Sequence, residues 1–400
     1  MILSGFNLEK TYQNLLILLA FFLPTTVFGA NLIIVILVVL WILSGGYKLK
    51  FQKIIQNKLM LASIIFFVLH IIGLLWTEDL AWGLHIVHKM WYFFLLWPIL
   101  FTITQKDYID KYVNSFLFAM FISVLLSFSV WFEIIPQFKN ATIANPTPFM
   151  SHISYNPILA FAIYLVGHKI LFNKNLSHFK FWFLTFFGLS MVTNMFITGG
   201  RAGQIIFFIV VSLLIFQFFQ KNKIKAFLLI FIATFAIFFT AFNSNDNFKA
   251  RMVGAFENTV NYDSDNITST GLRITFQLNS IDIIKENLIL GVGTGDFPIE
   301  YKKMNLINTP RVVSAKQPHN MYSLITVQLG IFGLLSLFSI FYYQIKLSLI
   351  QTDGFIRDVG FTLPILFIIL SISDSYLLGH YTSLLFVFFG SFLYKESVAK

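Results

Sequence analysis

The chain has 400 residues, of which 57% are hydrophobic and 12% are charged, and Phe alone contributes 50. An average soluble domain has about 25% charged residues, and large exposed apolar patches are rare on soluble monomers. The composition therefore excludes a disordered chain, a nucleic-acid-binding module and an ordinary cytosolic enzyme, and it indicates a protein of the lipid bilayer. The absence of Cys excludes disulfides, thiolate nucleophiles and iron–sulfur clusters.

Apolar runs divide the chain into membrane helices, each of which needs about 20 mostly apolar residues. Residues 13–45 are too long for one helix, and Pro24, Gly29 and Asn31 interrupt them, so they are expected to form two short helices. The pattern predicts an all-α polytopic membrane protein with about 12 transmembrane helices in a single membrane domain over residues 1–400. The predicted spans are 13–28, 30–45, 59–76, 88–104, 113–133, 155–172, 181–197, 202–220, 225–242, 321–344, 359–374 and 378–394.

The positive charges give the expected orientation. With the N-terminus in the cytoplasm, 17 of the 28 Lys and Arg residues fall on inner segments and only Lys89, Lys139 and Arg201 on short outer loops. Cytoplasmic loops carry the excess of Lys and Arg, so both termini are predicted to be cytoplasmic. The first apolar stretch lacks an early basic region and a second apolar stretch follows it, which favours a retained span over a signal peptide.

One long hydrophilic segment, 243–319, is predicted to be a loop on the outer side of the membrane, the periplasmic side in a bacterium, between spans nine and ten. Ser269 and Thr270 are possible caps for a helix over 271–288, which ends at the glycine stretch 291–295. This glycine pattern follows a helix instead of a strand, so it predicts a turn, with nucleotide binding as the weaker alternative. The apolar stripe of the helix is expected to lie on the membrane domain; it consists of Ile274, Leu278, Ile281, Ile284 and Leu288.

The first candidate site residue is Arg201, which follows Gly199 and Gly200 and opens a span whose N-terminus is predicted to lie outside. The N–H groups and positive dipole end of a helix, together with a guanidinium group, favour an anion, most naturally phosphate. The alternative is an interfacial Arg that contacts lipid headgroups.

Two further candidates lie at helix starts on the same side. Arg273 is a cation near a helix N-terminus, which is unfavourable unless an anion binds there; the alternative is an ordinary solvated side chain. His319 lies where the loop re-enters the membrane, and a neutral His at that position accepts a proton near pH 7. Its alternative is a structural role beside Asn320 as the helix cap.

Three weaker candidates share this side. Lys89 is a possible second phosphate contact, His152 precedes a span, and Asp296 follows the glycines and is a possible partner for a histidine. The sequence carries no HExxH motif, and no metal or other cofactor is expected.

In their order along the chain, these stretches resemble the O-antigen ligase and polymerase family of bacterial envelope enzymes. The resemblance covers nearly the whole chain, including the layout of the spans and the large outer loop. It departs from the pattern at two places. The family often has an aromatic residue four positions after the loop Arg, where this chain has Gln277, and the turn reads Gly199-Gly200-Arg201 instead of the commoner Ser-Arg-Gly type. The motifs are the turn that ends in Arg201, the loop Arg273, Gly291-x-Gly-x-Gly295-Asp-Phe297, Pro318-His319-Asn320 and Gln328-Leu-Gly-Ile-Phe-Gly-Leu-Leu335.

The resemblance implies a metal-independent, inverting glycosyltransferase of the bacterial inner membrane, with its active site facing the periplasm. The donor would be a glycan on undecaprenyl pyrophosphate. The acceptor hydroxyl would belong to lipid A–core in a ligase, which is preferred, to a growing glycan in a polymerase, or to protein in an O-oligosaccharyltransferase. It implies that Arg201, Arg273 and His319 are catalytic, while Lys89, Asn320, Asp296 and His152 are substrate-binding candidates. Membrane lipids are expected as further partners, and nucleic acid is not.

The alternative to an enzyme is a transporter or flippase for a lipid-linked glycan. Such proteins place charged residues near the bilayer midplane, in broken helices. Here the predicted spans contain almost none, and His70 is the clearest polar residue inside one. The polar candidates gather at the outer side instead, which favours an enzyme.

Overall fold

The computed structural model describes residues 7–139, 141–262 and 268–395. The predicted cytoplasmic termini and residues 263–267 of the predicted loop lie outside these ranges. Within them the chain forms helices, and the only β pairing consists of two isolated bridges in the segment 138–145. The α-helices are α1 Leu8–Phe22, α2 Val27–Leu43, α3 Tyr47–Gln56, α4 Lys58–Ile72, α5 Leu80–Lys89, α6 Trp97–Ile103, α7 Ile109–Trp131, α8 His152–Phe172, α9 His178–Ile197, α10 Arg201–Phe218, α11 Lys223–Ser244, α12 Asp246–Val260, α13 Ser269–Glu286, α14 Phe297–Asn308, α15 Met321–Leu349, α16 Gly354–Ser373 and α17 His380–Leu393.

Among the described residues, nine helical segments are long and apolar enough to cross a membrane, or ten if the bent pair of α2 and α3 is one span. Every predicted span overlaps a helical segment. Three of these segments are short and lie outside the nine: α1 has 15 residues, α2 has 17 and α17 has 14. The all-helical membrane fold is thus confirmed, and the total of about 12 spans stays a prediction.

The bundle is apolar on its outside as well as inside. Helix α11 is the clearest case, because only 11% of its most apolar stretch is buried inside the protein. Its side chains Phe227, Phe231 and Phe235 are exposed. An apolar exterior is unfavourable in water and is what a hydrocarbon solvent requires. Helices α8, α15 and α16 are mostly buried and form the centre of the bundle.

Helix α15 is broken at Gly330, which has φ 61° and ψ −155°. The rings of Tyr322 and Phe338 lie 5.4 Å apart, although a straight helix would separate positions sixteen residues apart by about 24 Å. The helix therefore bends sharply, and a short buried leg precedes the break. Because His319 lies just before this leg, the break decides where His319 meets the rest of the bundle.

The predicted turn over 291–295 is confirmed, and it packs against this break. The backbone N–H of Val292 donates to the carbonyl of Val327 over 2.8 Å, and that of Ile331 donates to the carbonyl of Leu288 over 2.8 Å. Only a glycine fits at position 330 in this packing, because a Cβ there would lie 2.2 Å from the carbonyl oxygen of Ile289.

The predicted apolar stripe of α13 is wrong. Leu278 and Ile281 of the stripe are 48% and 42% exposed, and the buried face instead contains Phe276, Asn279 and Ile283. This face can be buried because its polar member is satisfied: Asn279 donates to the hydroxyl groups of Tyr301 and Thr309 over 3.1 and 2.8 Å. Hydrophobic periodicity alone does not register such partners.

Replacing Gly330 with Ala should destabilise the protein. A residue other than Gly is strained by about 1–3 kcal/mol in this backbone conformation, and the clash of its Cβ with the carbonyl of Ile289 adds to this cost. The melting temperature in detergent measures this. Gly354→Ala is the control, because Gly354 also lies in a helix and has open space around it, so it should leave the melting temperature unchanged or slightly higher. Equal effects of the two substitutions would contradict the role of the break.

Candidate functional site

A cavity of about 540 Å³ lies at the end of the bundle where α8 and α10 begin. Three arginines line it, so it is called the arginine cavity. Helices α12 and α13 of the segment 243–319 form the other walls. Its lining is polar and cationic, with glycines on one wall: His152, Ile153, Gly199, Gly200, Arg201, Ala202, Gly203, Arg251, Gly254, Ala255, Asn258, Ser269, Thr270, Arg273 and Tyr376.

Arg201 is the first residue of α10 and reaches across the cavity to the start of α13. Its guanidinium donates to the hydroxyl of Thr270 over 3.1 Å and to that of Ser269 over 3.0 Å. The prediction that these two residues cap α13 is wrong, because Thr268 is the cap and accepts from the N–H of Gly271. The hydroxyl groups of Ser269 and Thr270 thus bind the guanidinium of Arg201 and do not cap α13.

Close packing between α8 and α10 fixes the position of Arg201. A Cβ on Gly203 would lie 2.3 Å from the Cβ of Asn156, so only a glycine allows the two helices to approach this far. Asn156 also donates to the carbonyl of Gly200 over 3.3 Å and accepts from the hydroxyl of Thr198 over 2.7 Å. The turn before Arg201 is therefore held from both sides.

Arg251 of α12 is a cavity residue that the sequence did not single out. Its guanidinium donates to the carbonyl of Gly199 over 2.6 Å, and a Cβ on Gly199 would overlap that guanidinium. In the sequence it is one of several cations of the long hydrophilic segment, with no motif around it. Arg251 brings the number of arginines that line the cavity to three, with Arg201 and Arg273.

His319 and Arg273 meet at one carboxylate. The Nδ1 of His319 lies 3.1 Å from one oxygen of Asp374, and the guanidinium of Arg273 lies 4.0 Å from the other. Asp374 follows the last residue of α16 and is 12% exposed at its side chain. The His319 ring also stacks on Phe276 of α13, with 6.1 Å between ring centres. The sequence did not single out Asp374, so its role as a bridge is a new finding.

The surroundings of Asp374 favour its charged form. Burial raises the pKa of this carboxyl, but the hydrogen bond and charge of His319, the N–H of Ser375 and the charge of Arg273 outweigh burial and hold the pKa below its ordinary value of 3.8. A carboxylate can only accept, so the Nδ1 of a neutral His319 carries the proton. This leaves Nε2 as the proton-accepting nitrogen.

The backbone of His319 is in the left-handed region, with φ 52°, and its neighbours hold it there. Gln277 donates to the carbonyl of Pro318 over 3.3 Å and accepts from the hydroxyl of Ser323 over 2.7 Å. Gln277 thus links α13 to the His319 turn at the position where the resemblance leads one to expect an aromatic residue. Asn320 caps α15 by accepting from the N–H of Ser323 over 3.1 Å.

The weaker candidates divide between places. His152 lines the arginine cavity. Asp296 is buried, and its two oxygens accept from the N–H groups of Glu78 and Asp79 over 2.8 and 2.9 Å, so the carboxylate that holds the histidine is Asp374 instead. Lys89 lines a different cavity. The substrate-binding roles of these residues and of Asn320 stay predictions. Within 7–139, 141–262 and 268–395, no group of three or more His, Asp and Glu residues is placed to hold a metal ion.

Replacing Asp374 with Asn should lower the melting temperature at pH 7, because a hydrogen bond to a charged group contributes about 1.5–3 kcal/mol. The pKa of Asp374 is depressed in the folded protein, so the stabilisation is present above the unfolded pKa of 3.8 and is lost as the pH falls through the folded value. The difference between variant and wild type should therefore persist from pH 8 to pH 5. A difference that disappears above pH 5 would contradict the assigned charge state.

The comparisons with known proteins bear on the same region. Residues 184–338 match a protein-family model described as O-antigen ligase. This range includes Arg201, Arg251, Arg273 and His319, and it ends before Asp374. No curated protein matches the chain. Residues 184–338 are thus similar to the O-antigen ligase domain, and the match supports the assignment of the chain to the O-antigen ligase and polymerase family.

Proposed function

We propose that the protein is a metal-independent, inverting glycosyltransferase that moves a glycan from undecaprenyl pyrophosphate to an acceptor hydroxyl. One observation carries the proposal: three arginines line one cavity, and one of them shares a carboxylate with a histidine. The family match includes these arginines and this histidine. Cations beside a proton acceptor are what the transfer of a sugar from a pyrophosphate needs.

The arginines serve the leaving group. A pyrophosphate leaves with several negative charges, and a guanidinium binds phosphate oxygens through two parallel hydrogen bonds. Arg201 and Arg273 make the main contacts to the pyrophosphate. Stabilisation of the departing charge in a site that is preorganised is expected to be the largest catalytic contribution.

His319 serves the nucleophile. As the acceptor oxygen forms its bond to the anomeric carbon, the Nε2 of His319 takes the hydroxyl proton. The bond from that carbon to the pyrophosphate oxygen breaks, and the pyrophosphate keeps the electron pair. A single displacement of this kind inverts the anomeric centre. Asp374 is a positioning residue, because it fixes the tautomer of His319 and stabilises its protonated form.

The site is proposed to face the periplasm from the bacterial inner membrane, with both termini in the cytoplasm. The support is the excess of Lys and Arg on the segments at the end opposite the cavity, since cytoplasmic loops carry this excess. ATP is absent from the periplasm, so the sugar–pyrophosphate bond has to supply the free energy of transfer.

The acceptor is proposed to be lipid A–core, which makes the protein an O-antigen ligase. The support is the single, modest hydrophilic segment beside the site. Polymerisation of O-antigen and transfer to protein use the same donor and a similar site, and they are the alternatives within the family.

The alternative to an enzyme is a transporter. The positions of the charged residues within the described ranges favour the enzyme. The arginines and His319 gather at one end of the bundle. The His70 side chain within α4 is fully buried, and its Nδ1 lies 2.8 Å from the carbonyl of Phe66, which is typical of a structural side chain. Purified protein in detergent separates the two classes, because it can transfer a glycan but has no second compartment for transport.

Arg201→Ala, Arg273→Ala and His319→Ala should each lower the transfer rate by about 100-fold or more, because each removes a contact to a charge or proton that moves in the reaction. The assay measures product formation by purified protein with lipid-linked glycan and acceptor. Lys285→Ala is the control, since Lys285 is exposed and pairs with Asp282 on its own helix. Wild-type rates in the His319 variant would exclude it as the base.

The envelope polysaccharide of a deletion strain should identify the acceptor. A ligase predicts the loss of long glycan from lipid A and the accumulation of lipid-linked polymer, which a gel of lipopolysaccharide shows. A cap of one repeat unit would identify a polymerase. Unchanged lipopolysaccharide with altered glycoprotein would identify transfer to protein.

A further inference from the structure

A second cavity of about 640 Å³ is separate from the arginine cavity and shares no lining residue with it. Its walls come from α2, from the end of α5 with the turn that follows, and from the start of α17. Its apolar wall includes Ile34, Val35 and Leu378, while its polar wall includes His88, Lys89 and His380.

One short segment, 374–380, connects this cavity with the candidate site. Asp374 holds His319, Tyr376 lines the arginine cavity, and His380 lines the second cavity. Tyr376 and His380 are four residues apart, so about 14 Å at most separates their Cα atoms. The segment that positions the proposed base therefore contributes lining residues to both cavities.

The second cavity has an uncompensated positive charge. Lys89 is half-buried, and within the described ranges it has no ion pair and no hydrogen bond to a carboxylate. The Nδ1 of His380 lies 2.5 Å from the hydroxyl of Tyr92, which begins a π-helical turn over Tyr92–Leu96. Turns of this kind occur frequently at functional sites. A half-buried cation without a counter-ion favours an anionic ligand.

The apolar wall indicates what carries that anion. Val35 is 59% exposed on α2, which is an apolar helix, so the cavity is open along a surface that suits hydrocarbon. A ligand with a phosphate at Lys89 and an apolar chain beside α2 is a phosphorylated lipid. The donor already has its cations in the arginine cavity.

We infer that the second cavity binds the phosphorylated headgroup of a lipid-anchored acceptor and presents its hydroxyl to His319 from the side opposite the donor. This inference rests on the proposed function, and it specifies where the second substrate binds. Lys89 would bind the acceptor phosphate, and the Tyr92–His380 pair would hold the cavity wall.

Initial rates of transfer in detergent, measured against acceptor concentration and donor concentration separately, test the inference. Lys89→Ala should raise the KM for the acceptor about tenfold or more, as the loss of a hydrogen bond to a charged group does, and should leave the KM for the donor unchanged. Lys89→Arg should restore most of the acceptor affinity. Lys302→Ala is the matched control, because Lys302 is exposed and lies outside both cavities.

An acceptor without its phosphates separates the headgroup from other contacts. Wild type should bind this acceptor as weakly as Lys89→Ala binds the phosphorylated one, and Lys89→Ala should then have no additional effect. A rise in donor KM, or an unchanged acceptor KM, would overturn the inference and leave the proposed function intact. A dependence of the wild-type rate on added anionic phospholipid, without a change in acceptor KM, would assign the cavity to bulk lipid and would also overturn it. No transfer by wild type with any hydroxyl acceptor would overturn the proposed function itself.

Discussion

The carboxylate of Asp374 joins the two chemical halves of the candidate site. It contacts His319 on one side and Arg273 on the other, so it ties the proton-accepting group to the cationic cavity. A buried carboxylate without partners would be unfavourable, and here a cation, an imidazole and a backbone N–H compensate it. Phe276 and Gln277 of α13, the helix that carries Arg273, also contact the His319 turn, and Asp374 adds the contact between the two functional groups themselves.

The fold brings these residues together through close backbone contacts. The break at Gly330 turns the first leg of α15 under the segment 243–319, and the glycine turn over 291–295 packs on the break. Gly203 allows α8 and α10 to approach each other closely, and these two helices hold Arg201 in place. Glycines at these contacts allow irregular backbone to be buried with its hydrogen bonds satisfied, which a membrane protein requires.

The sequence predicted the helices well, because long apolar runs and their polar boundaries are a strong signal. It also located Arg201, Arg273 and His319, since each lies at a helix start where a charge or an imidazole is unusual. It missed Arg251 and the bridging role of Asp374, because neither has a local pattern and both act through contacts with residues distant in the chain. The buried face of α13 was wrong for a related reason: Asn279 is polar by type, but tertiary hydrogen bonds make its burial favourable.

The proposed reaction divides the roles: the arginines bind the pyrophosphate, and the histidine acts only on the acceptor proton. The dissociation constant of purified protein for undecaprenyl pyrophosphate, measured for Arg201→Ala and His319→Ala beside wild type, tests it most directly. The account predicts that the arginine variant binds at least about tenfold more weakly and that the histidine variant binds as wild type does. Equal affinity of wild type and the arginine variant for the lipid pyrophosphate would contradict the account.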